Sequence, residues 1–461
     1  MIKQAKDILP KYNIQAWGIN PNTELKIEYV DPNQFLTAER IDLICKLIYI
    51  DCKVRKINLK FARYLYKEHI RAFSGGTFNE PGNEEKNSID KYFECFNAMI
   101  DSIPKEGLSY EKSVVGVANK NHILDGSHRT AIAIYFKLKL PIVHIETKAI
   151  YNYDYSFFLS NGMSSDCLDY LAYQFVRYSN NVFTLCLWPR AKDYEKRRVA
   201  EKLISDSAAI VYKKELRLNY NGLFHLMIHA YGNGREEDKW AGSVENGFLG
   251  LHEKVKCCYE KNQLTTVYVL SNTSLEKIVE IKDEIRKLYE IQKHSVHVTD
   301  TKNEAIAISQ VVLNNNSIDL LNYGEPFKFH EFANTIESFR ISRLNSALPL
   351  ENFEFDYNSV LALYGLKDTD NITSIFFKDG FYYSLDSHNR IITLQNMDDV
   401  FFDPANYLFF RGLKYVSIHG AKSINKKKNV LLEILLVIKR FRKSTFNQLD
   451  NTITKHLIKK N

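Results

Sequence analysis

The sequence predicts a multidomain protein of the α+β or α/β class. Its 461 residues are enough for two to four domains with ordinary hydrophobic cores. Short apolar runs typical of strands alternate with amphipathic segments typical of helices along most of the chain. A returning strand ends before residue 150, and a loop signal lies at residues 322–326. We therefore predict three domains, at residues 1–150, 151–325 and 326–461.

The composition is that of a soluble globular protein, with 45% hydrophobic and 25% charged residues. The net charge of +7 is mild for this length and suits an acidic ligand. Lysine and arginine are spread along the whole chain, which argues against a nucleic-acid-binding face.

Targeting signals and cysteine usage both point to the cytoplasm. The first residues contain no apolar signal-peptide core, and no apolar run approaches the roughly 18 residues that would span a membrane. The seven cysteines show no CxxC spacing, so we interpret them as reduced thiols that bind no zinc.

In the first domain, a strand is predicted at residues 25–32 and a helix from about residue 37. Further helices are predicted at 61–73 and 88–103, separated by a glycine-containing loop at 74–82. Residues 113–118 and 122–124 resemble the two arms of a hairpin, and residues 141–146 form a returning strand. The charges at Glu39, Arg40, Asp42 and Lys46 are typical of a solvated helix face.

A polar turn links the hairpin to the next helix, and it is the main candidate site of this domain. The residues of the turn are Asp125, Gly126, Ser127, His128 and Arg129. A helix N-terminus presents unpaired N–H groups, and His128 and Arg129 add donors suited to phosphate or carboxylate. Asp125 has two interpretations, a general base or metal ligand on one side and an N-cap on the other. Capping explains Asp125 and Ser127 but not His128 together with Arg129.

This turn resembles the DGxHR signature of the ParB/sulfiredoxin-like superfamily, which includes partition-protein nucleases and CTPases, sulfiredoxins and free serine kinases. Sulfiredoxins have cysteine where this chain has Ser127, so the likeness is to the kinases. It implies that Gly126, Ser127, His128, Arg129 and Arg40 bind nucleotide phosphates. It further implies that Asp125 is a base or Mg²⁺ ligand and Glu39 an auxiliary base. The element order also resembles ParB-like proteins of bacterial surface-polysaccharide loci.

The second domain is predicted to alternate strands and helices from a buried strand at residues 182–188 to a helix ending at residue 313. Arg286, then His294, His297, Asp300 and Glu304, resemble the C-terminal motif of nucleoside diphosphate kinases. The resemblance implies a ferredoxin-like fold, His297 as phospho-accepting nucleophile and Arg286 as phosphate clamp. The family's asparagine is His294 here, and its first-strand lysine corresponds to Arg190. A structural histidine is the alternative to a nucleophile.

The third domain, from about residue 327, resembles a degenerate nucleotidyltransferase. Residues 359–373 contain a glycine-led turn, but Asn371 and Thr373 stand where the metal-binding aspartates of that superfamily lie. Asp386 and Asp403 are other carboxylates in this domain. A basic amphipathic helix is predicted at residues 426–443, either as an ordinary packed helix or as a peripheral contact with anionic lipid.

Three functions follow from these patterns. The leading hypothesis is a cytoplasmic phosphotransferase that uses ATP and Mg²⁺ and acts through residues 125–129. Its acceptor would be a sugar, polyol or other small hydroxyl compound in capsule or lipopolysaccharide synthesis, a class implied only by resemblance. A non-catalytic nucleotide sensor or scaffold is the alternative, and a ParB-like nuclease is less favoured. A homo-oligomer is expected by analogy with the kinases.

Overall fold

The computed structural model describes residues 1–420 apart from 58, 119–120, 233, 344–351, 371, 379, 386–389 and 396. It is a mixed arrangement of helices around three sheets, which confirms the predicted class at this level. The predicted basic helix at 426–443, Asn371 and Asp386 lie outside the described residues. Within the described part, no helix combines the length and apolar character needed to cross a membrane.

The first sheet has five strands in the order β1-β2-β5-β3-β4. Strand β3 pairs in parallel with β5 and antiparallel with β4, so the predicted hairpin is present. The strands are β1 (Ile2–Gln4), β2 (Glu24–Val30), β3 (Val115–Ala118), β4 (His122–Ile123) and β5 (Leu140–His144). The helices are α1 (Ala5–Ile8), α2 (Lys11–Trp17), α3 (Asp42–Arg55), α4 (Leu59–Phe73), α5 (Ile89–Glu106) and α6 (Ser127–Phe136).

Helix α3 corrects two expectations. It begins at Asp42 instead of residue 37, because residues before it leave the helical path and Arg40 bridges to Tyr153. Arg40, Asp42 and Lys46 are buried, with exposed fractions of 3%, 2% and 2%, so the predicted solvated face was wrong for these residues. Burial is tolerated because the Asp42 carboxylate pairs with both cations, at 2.8 Å from Arg40 Nε and 2.9 Å from Lys46 Nζ.

Two helices lead from the first sheet to the second, α7 (Tyr155–Ser160) and α8 (Ser165–Tyr178). Ser164 caps α8 by accepting a hydrogen bond from Cys167 N. Helix α8 packs between α3 of the first region and α13 of the second. It is therefore a structural element shared by the two regions, with Leu171 and Phe175 fully buried.

The second sheet has the antiparallel order β7-β8-β6-β9. Its connectivity is β-α-β, then two inserted helices, then β-α-β. The strands are β6 (Val182–Leu187), β7 (Ala209–Leu216), β8 (Thr265–Ser271) and β9 (Val296–Val298). The helices are α9 (Tyr194–Ser207), α10 (Tyr220–Tyr231), α11 (Leu251–Cys258), α12 (Leu275–Tyr289), α13 (Lys302–Val312) and α14 (Asn315–Tyr323).

The third sheet has six strands in the order β13-β12-β11-β10-β15-β14. Only the pairing of β10 with β15 is parallel among the described strand pairs of this sheet. The strands are β10 (Phe353–Phe355), β11 (Ser374–Lys378), β12 (Phe381–Leu385), β13 (Ile391–Leu394), β14 (Tyr407–Phe410) and β15 (Leu413–Val416). The helices are α15 (His330–Arg343), α16 (Tyr357–Leu363) and α17 (Asp398–Phe402).

Candidate functional site

The turn at residues 125–129 is held by hydrogen bonds within the protein. Asp125 Oδ2 accepts from Asn13 Nδ2 at 2.9 Å and from an Arg129 terminal nitrogen at 3.3 Å. Asp125 Oδ1 accepts from Gly116 N at 3.1 Å. The second terminal nitrogen of Arg129 donates to the Val114 carbonyl at 3.1 Å. These bonds fasten the start of α6 to β3, which favours the structural interpretation of Asp125 and Arg129.

Gly126 occupies a position that suits only glycine. Its φ of +73° lies in the left-handed region, and an added Cβ would approach Val115 Cγ2 to 2.7 Å. Thr130 Oγ1 donates to the Gly126 carbonyl at 3.1 Å, which closes the first turn of α6. The glycine is thus required by the tight strand-to-helix connection, and Ser127 begins the helix directly after it.

His128 lies in an aromatic interior. Its Nε2 is 2.7 Å from the Tyr66 hydroxyl, and its ring meets Phe96 edge-on at 4.6 Å between centroids. Burial, together with the nearby Lys86, holds the pKa of His128 well below its ordinary value. The imidazole is therefore neutral at physiological pH and supplies no positive charge for a phosphate.

The hydrogen bonds of Arg40 and Glu39 go to residues outside the turn at 125–129. Arg40 Nη1 donates to the carbonyl of Ile123 in β4 at 2.9 Å, while its other nitrogens bind Asp42. The backbone carbonyl of half-buried Glu39 accepts from Tyr153 N at 2.8 Å. Both residues connect the segment before α3 to its neighbours.

Asp125 does not fit the role of magnesium ligand that the resemblance implies. Both of its oxygens face N–H donors, and one donor is the Arg129 guanidinium, which repels a cation. Among residues 1–420 that the structure describes, no group of three or more His, Cys, Asp or Glu side chains is arranged to hold a metal ion.

A second candidate site is a cavity of about 490 Å³ in the middle region, and it contains His297, Arg286 and Asp300 together. All its lining residues come from between residues 231 and 300, so it is separate from the turn at 125–129. We call it the His297 cavity. Its cationic residues are Arg235, Lys254, Lys282, Arg286 and Lys293, and Tyr231 and Trp240 supply aromatic surface.

His297 is oriented by a buried carboxylate. Its Nε2 lies 3.0 Å from Glu304 Oε1, and Glu304 Oε2 accepts from Asp300 N at 2.9 Å. Although burial opposes ionisation, the hydrogen bond from His297, with Asp300 N and Arg235, keeps the pKa of Glu304 below its ordinary value. An ionised Glu304 requires Nε2 to carry the proton. In the neutral ring the lone pair then lies on Nδ1.

The ring of His297 contacts two aromatic side chains. Trp188 stacks on it with an interplanar angle of 25°, and Tyr231 meets it edge-on at 4.9 Å between centroids. Only 7% of His297 is exposed, yet it lines the cavity. The side chain is therefore held by its neighbours, and Nδ1 has no hydrogen bond from the described residues.

Cationic side chains line this cavity together with four carboxylates, those of Glu237, Asp238, Glu253 and Asp300. Arg286 on α12 donates to Asp283 at 3.3 Å, but its buried Nε has no hydrogen-bond partner among the described residues. Lys254 of α11 donates to the Lys293 carbonyl and lies 5.9 Å from the Tyr231 ring centroid. Burial, reinforced by Lys293 and Arg286, lowers the pKa of Lys254. An anion in the cavity would relieve this crowding of like charges.

The sequence departs from the kinase motif at His294 and Arg190, and the structure places these two residues in different surroundings. His294 lines the His297 cavity, with Nδ1 3.8 Å from Cys258 Sγ, and burial together with Lys254 lowers its pKa. Arg190 instead pairs with Glu260 at 3.2 Å. Arg190 does not line the His297 cavity, whereas Lys254, from an inserted helix, does.

Sequence reasoning missed Arg235, Trp240 and Lys254. The signal for Arg235 and Trp240 was a loop between two apolar helices that combines charged residues with an exposed tryptophan. For Lys254 the sequence offered only the helical periodicity of α11, which does not indicate a binding site. Its approach to Lys293, 39 positions later, depends on tertiary packing.

No protein-family model matches the chain, and no curated protein or solved structure matches it either.

Proposed function

We propose that the chain is a nucleoside-triphosphate-dependent phosphotransferase in which His297 accepts the phosphoryl group. The observation that carries this proposal is the Glu304–His297 hydrogen bond, since it places the proton on Nε2 and the lone pair on Nδ1. The strand order β7-β8-β6-β9 supports it, because that is the order of a ferredoxin-like β-α-β-β-α-β unit, the fold implied by the resemblance.

The proposed reaction is an in-line displacement at the terminal phosphorus of the nucleotide. The Nδ1 lone pair forms a bond to phosphorus as the bond to the bridging oxygen breaks, and the nucleoside diphosphate departs with the bonding electrons. Arg286, Lys254 and Lys293 would neutralise charge on the phosphate oxygens. Glu304 stabilises the positive charge that develops on the imidazole ring. Trp240, 46% exposed at the cavity, offers a surface on which a base can stack.

The second half of the reaction passes the phosphoryl group from His297 to an acceptor. A small hydroxyl compound, such as a sugar or polyol of surface-polysaccharide synthesis in the cytoplasm, is proposed from the sequence resemblance alone. A second nucleotide would use the same contacts as the first. In both cases the acceptor oxygen forms a bond to phosphorus as the bond to Nδ1 breaks, and the bonding electrons return to Nδ1, which regenerates the neutral imidazole. The proton of a hydroxyl acceptor passes to solvent.

The test is labelling of purified protein with ATP radiolabelled at the γ-phosphate. We expect an acid-labile, base-stable label in the wild-type chain and none in His297→Asn. Arg286→Gln should reduce labelling, whereas Lys287→Gln, which removes an exposed charge from the same helix, should not. Label that survives in His297→Asn would overturn the assignment. ATP binding without label or turnover would favour a non-catalytic nucleotide sensor instead.

A further inference from the structure

A second cavity, of about 510 Å³, lies where the three sheet-containing regions meet. It is walled by α3, α8, α13, α17 and the paired strands β14 and β15. None of its lining residues is shared with the His297 cavity. We call it the junction cavity. Its volume is in the range of cavities that hold small organic ligands.

The charges of the junction cavity are strongly unbalanced. Four cationic residues line it, against the single carboxylate of Asp51, and they are Arg55, Arg177, Lys302 and Lys414. That carboxylate is already engaged, since Oδ2 pairs with Arg55 at 3.2 Å and Oδ1 accepts from the Tyr135 hydroxyl at 3.0 Å. Arg177, Lys302 and Lys414 reach the cavity from three separate elements of the fold, α8, α13 and β15.

The pKa of Lys302 reflects the repulsion between cationic side chains in this cavity. Partial burial and the proximity of Arg177 lower the pKa of Lys302. Within the described residues, no carboxylate lies within ion-pair distance of Lys302. Two cations that repel each other in a half-buried cavity are stabilised when an anion binds between them.

Aromatic surface accompanies the charge. Tyr170 and Tyr178 come from α8, and Phe401 and Phe402 from α17. Lys414 lies over Phe401, 3.7 Å from the ring centroid, and donates to the Phe401 carbonyl at 2.5 Å. A ligand that carries both an anionic group and a flat ring would therefore match both parts of the wall.

We propose that the junction cavity binds a small organic phosphate with a planar ring, at a site separate from the His297 cavity. Arg177 and Lys302 contact the phosphate, with Arg55 at the entrance, and the tyrosine and phenylalanine side chains cover the ring. The arginine fork suits the geometry of a phosphate, and a mononucleotide has the required size and composition.

The test is calorimetric titration of the full chain with AMP. We expect Lys302→Gln and Arg177→Gln each to weaken one class of AMP sites at least tenfold. Arg177→Lys, which keeps the charge, should retain part of that affinity. Arg286→Gln, in the His297 cavity, should leave this class unchanged. Circular dichroism of each variant verifies that the fold is retained, and Lys302→Gln changes only a half-exposed residue of the first helical turn.

Three outcomes would overturn the proposal. One is the absence of AMP binding to the wild-type chain, and another is an affinity that Lys302→Gln and Arg177→Gln leave unchanged. The third is that inorganic phosphate binds as tightly as AMP, which would show that the aromatic wall contributes nothing. If the labelling of His297 fails while the AMP result holds, the junction cavity stands without the proposed phosphotransfer.

Discussion

Glu304, in the first turn of α13, lies 3.0 Å from His297 Nε2 and also accepts a hydrogen bond from the backbone of Asp300. One carboxylate thus fixes both the histidine and the turn that connects β9 to α13. Oε1 contacts the histidine ring, whereas Oε2 accepts from the backbone of the turn. Replacing the carboxylate with an amide can therefore keep the hydrogen bond to the turn while it removes the negative charge beside the ring.

Glu304→Gln should impair phosphoryl transfer more than it impairs nucleotide binding. The amide can keep one hydrogen bond but no longer stabilises positive charge on the ring. We expect the labelling rate of His297 to fall about 10–100-fold, as for other groups that orient a reactive imidazole. Rapid-quench labelling and equilibrium binding of ATP measure the two effects. Glu236→Gln, at an exposed site, is the matched control. Equal losses in rate and affinity would contradict an orienting role.

Asp125→Ala should destabilise the fold while leaving the affinity for ATP unchanged. The substitution leaves the Asn13 amide, Gly116 N–H and the Arg129 guanidinium without their acceptor, at a cost of about 1–3 kcal/mol. Urea unfolding and ATP titration, both at 20–25 °C, test the two statements. Exposed Asp7→Ala is the control. Loss of ATP binding with unchanged stability would return the nucleotide site to residues 125–129.

Glu337 should make the chain more stable at neutral pH than in acid. Hydrogen bonds and charge from Arg340 and Arg411 outweigh burial and lower the pKa of Glu337 to about 2. A depressed pKa gives stability that is present above the unfolded value, near 4.5, and is lost as pH falls towards 2. Glu337→Gln should cost about 3 kcal/mol at pH 7 and under about 1 kcal/mol at pH 2.

Urea unfolding at several pH values provides this measurement, with Glu331→Gln on the exposed side of the same helix as control. A difference between wild type and Glu337→Gln that stays constant from pH 7 to pH 2 would show that the two arginines do not stabilise the charge.

Glu354 should have the opposite pH dependence. It is fully buried, and neither carboxylate oxygen has a hydrogen-bond partner among the described residues. Burial, only partly offset by Lys414, raises its pKa to about 8. A raised carboxyl pKa means that stability falls as pH rises from about 4.5 to 8. Relative to Glu354→Gln, the wild type should lose about 2–3 kcal/mol between pH 6 and 8.5. Parallel pH profiles of the two chains would contradict this.

Local patterns in the sequence were sufficient for much of the secondary structure. Ser88 and Ser274, whose type and position before an amphipathic run are typical of N-caps, cap α5 and α12 by accepting from Lys91 N and Lys277 N. The continuous apolar run at 182–187 is a fully buried strand. Such features depend on neighbours within a few residues, so one sequence reveals them.

Burial of charge was not predictable in the same way. The pattern of α3 gave no sign that Asp42 would meet Arg40 and Lys46 in the interior. The contact of Arg40 with Ile123 joins positions 83 residues apart. The His297 cavity shows the same limit: His297, Arg286 and Asp300 were found by their motif, whereas Lys254 and Arg235 come from inserted segments. Long-range packing decides which charges converge, and periodicity carries no information about it.

The helix α8, shared between regions, implies that this chain behaves as one cooperative body. A single buried cluster includes Tyr49 of α3, Phe175 of α8, Val311 of α13 and Phe409 of β14. Removing any one sheet with its helices would expose apolar side chains of this cluster that are now buried against the other two regions. A truncation within α8 would therefore destabilise all three sheets together. It would lower the abundance of the whole protein instead of removing the activity of one region.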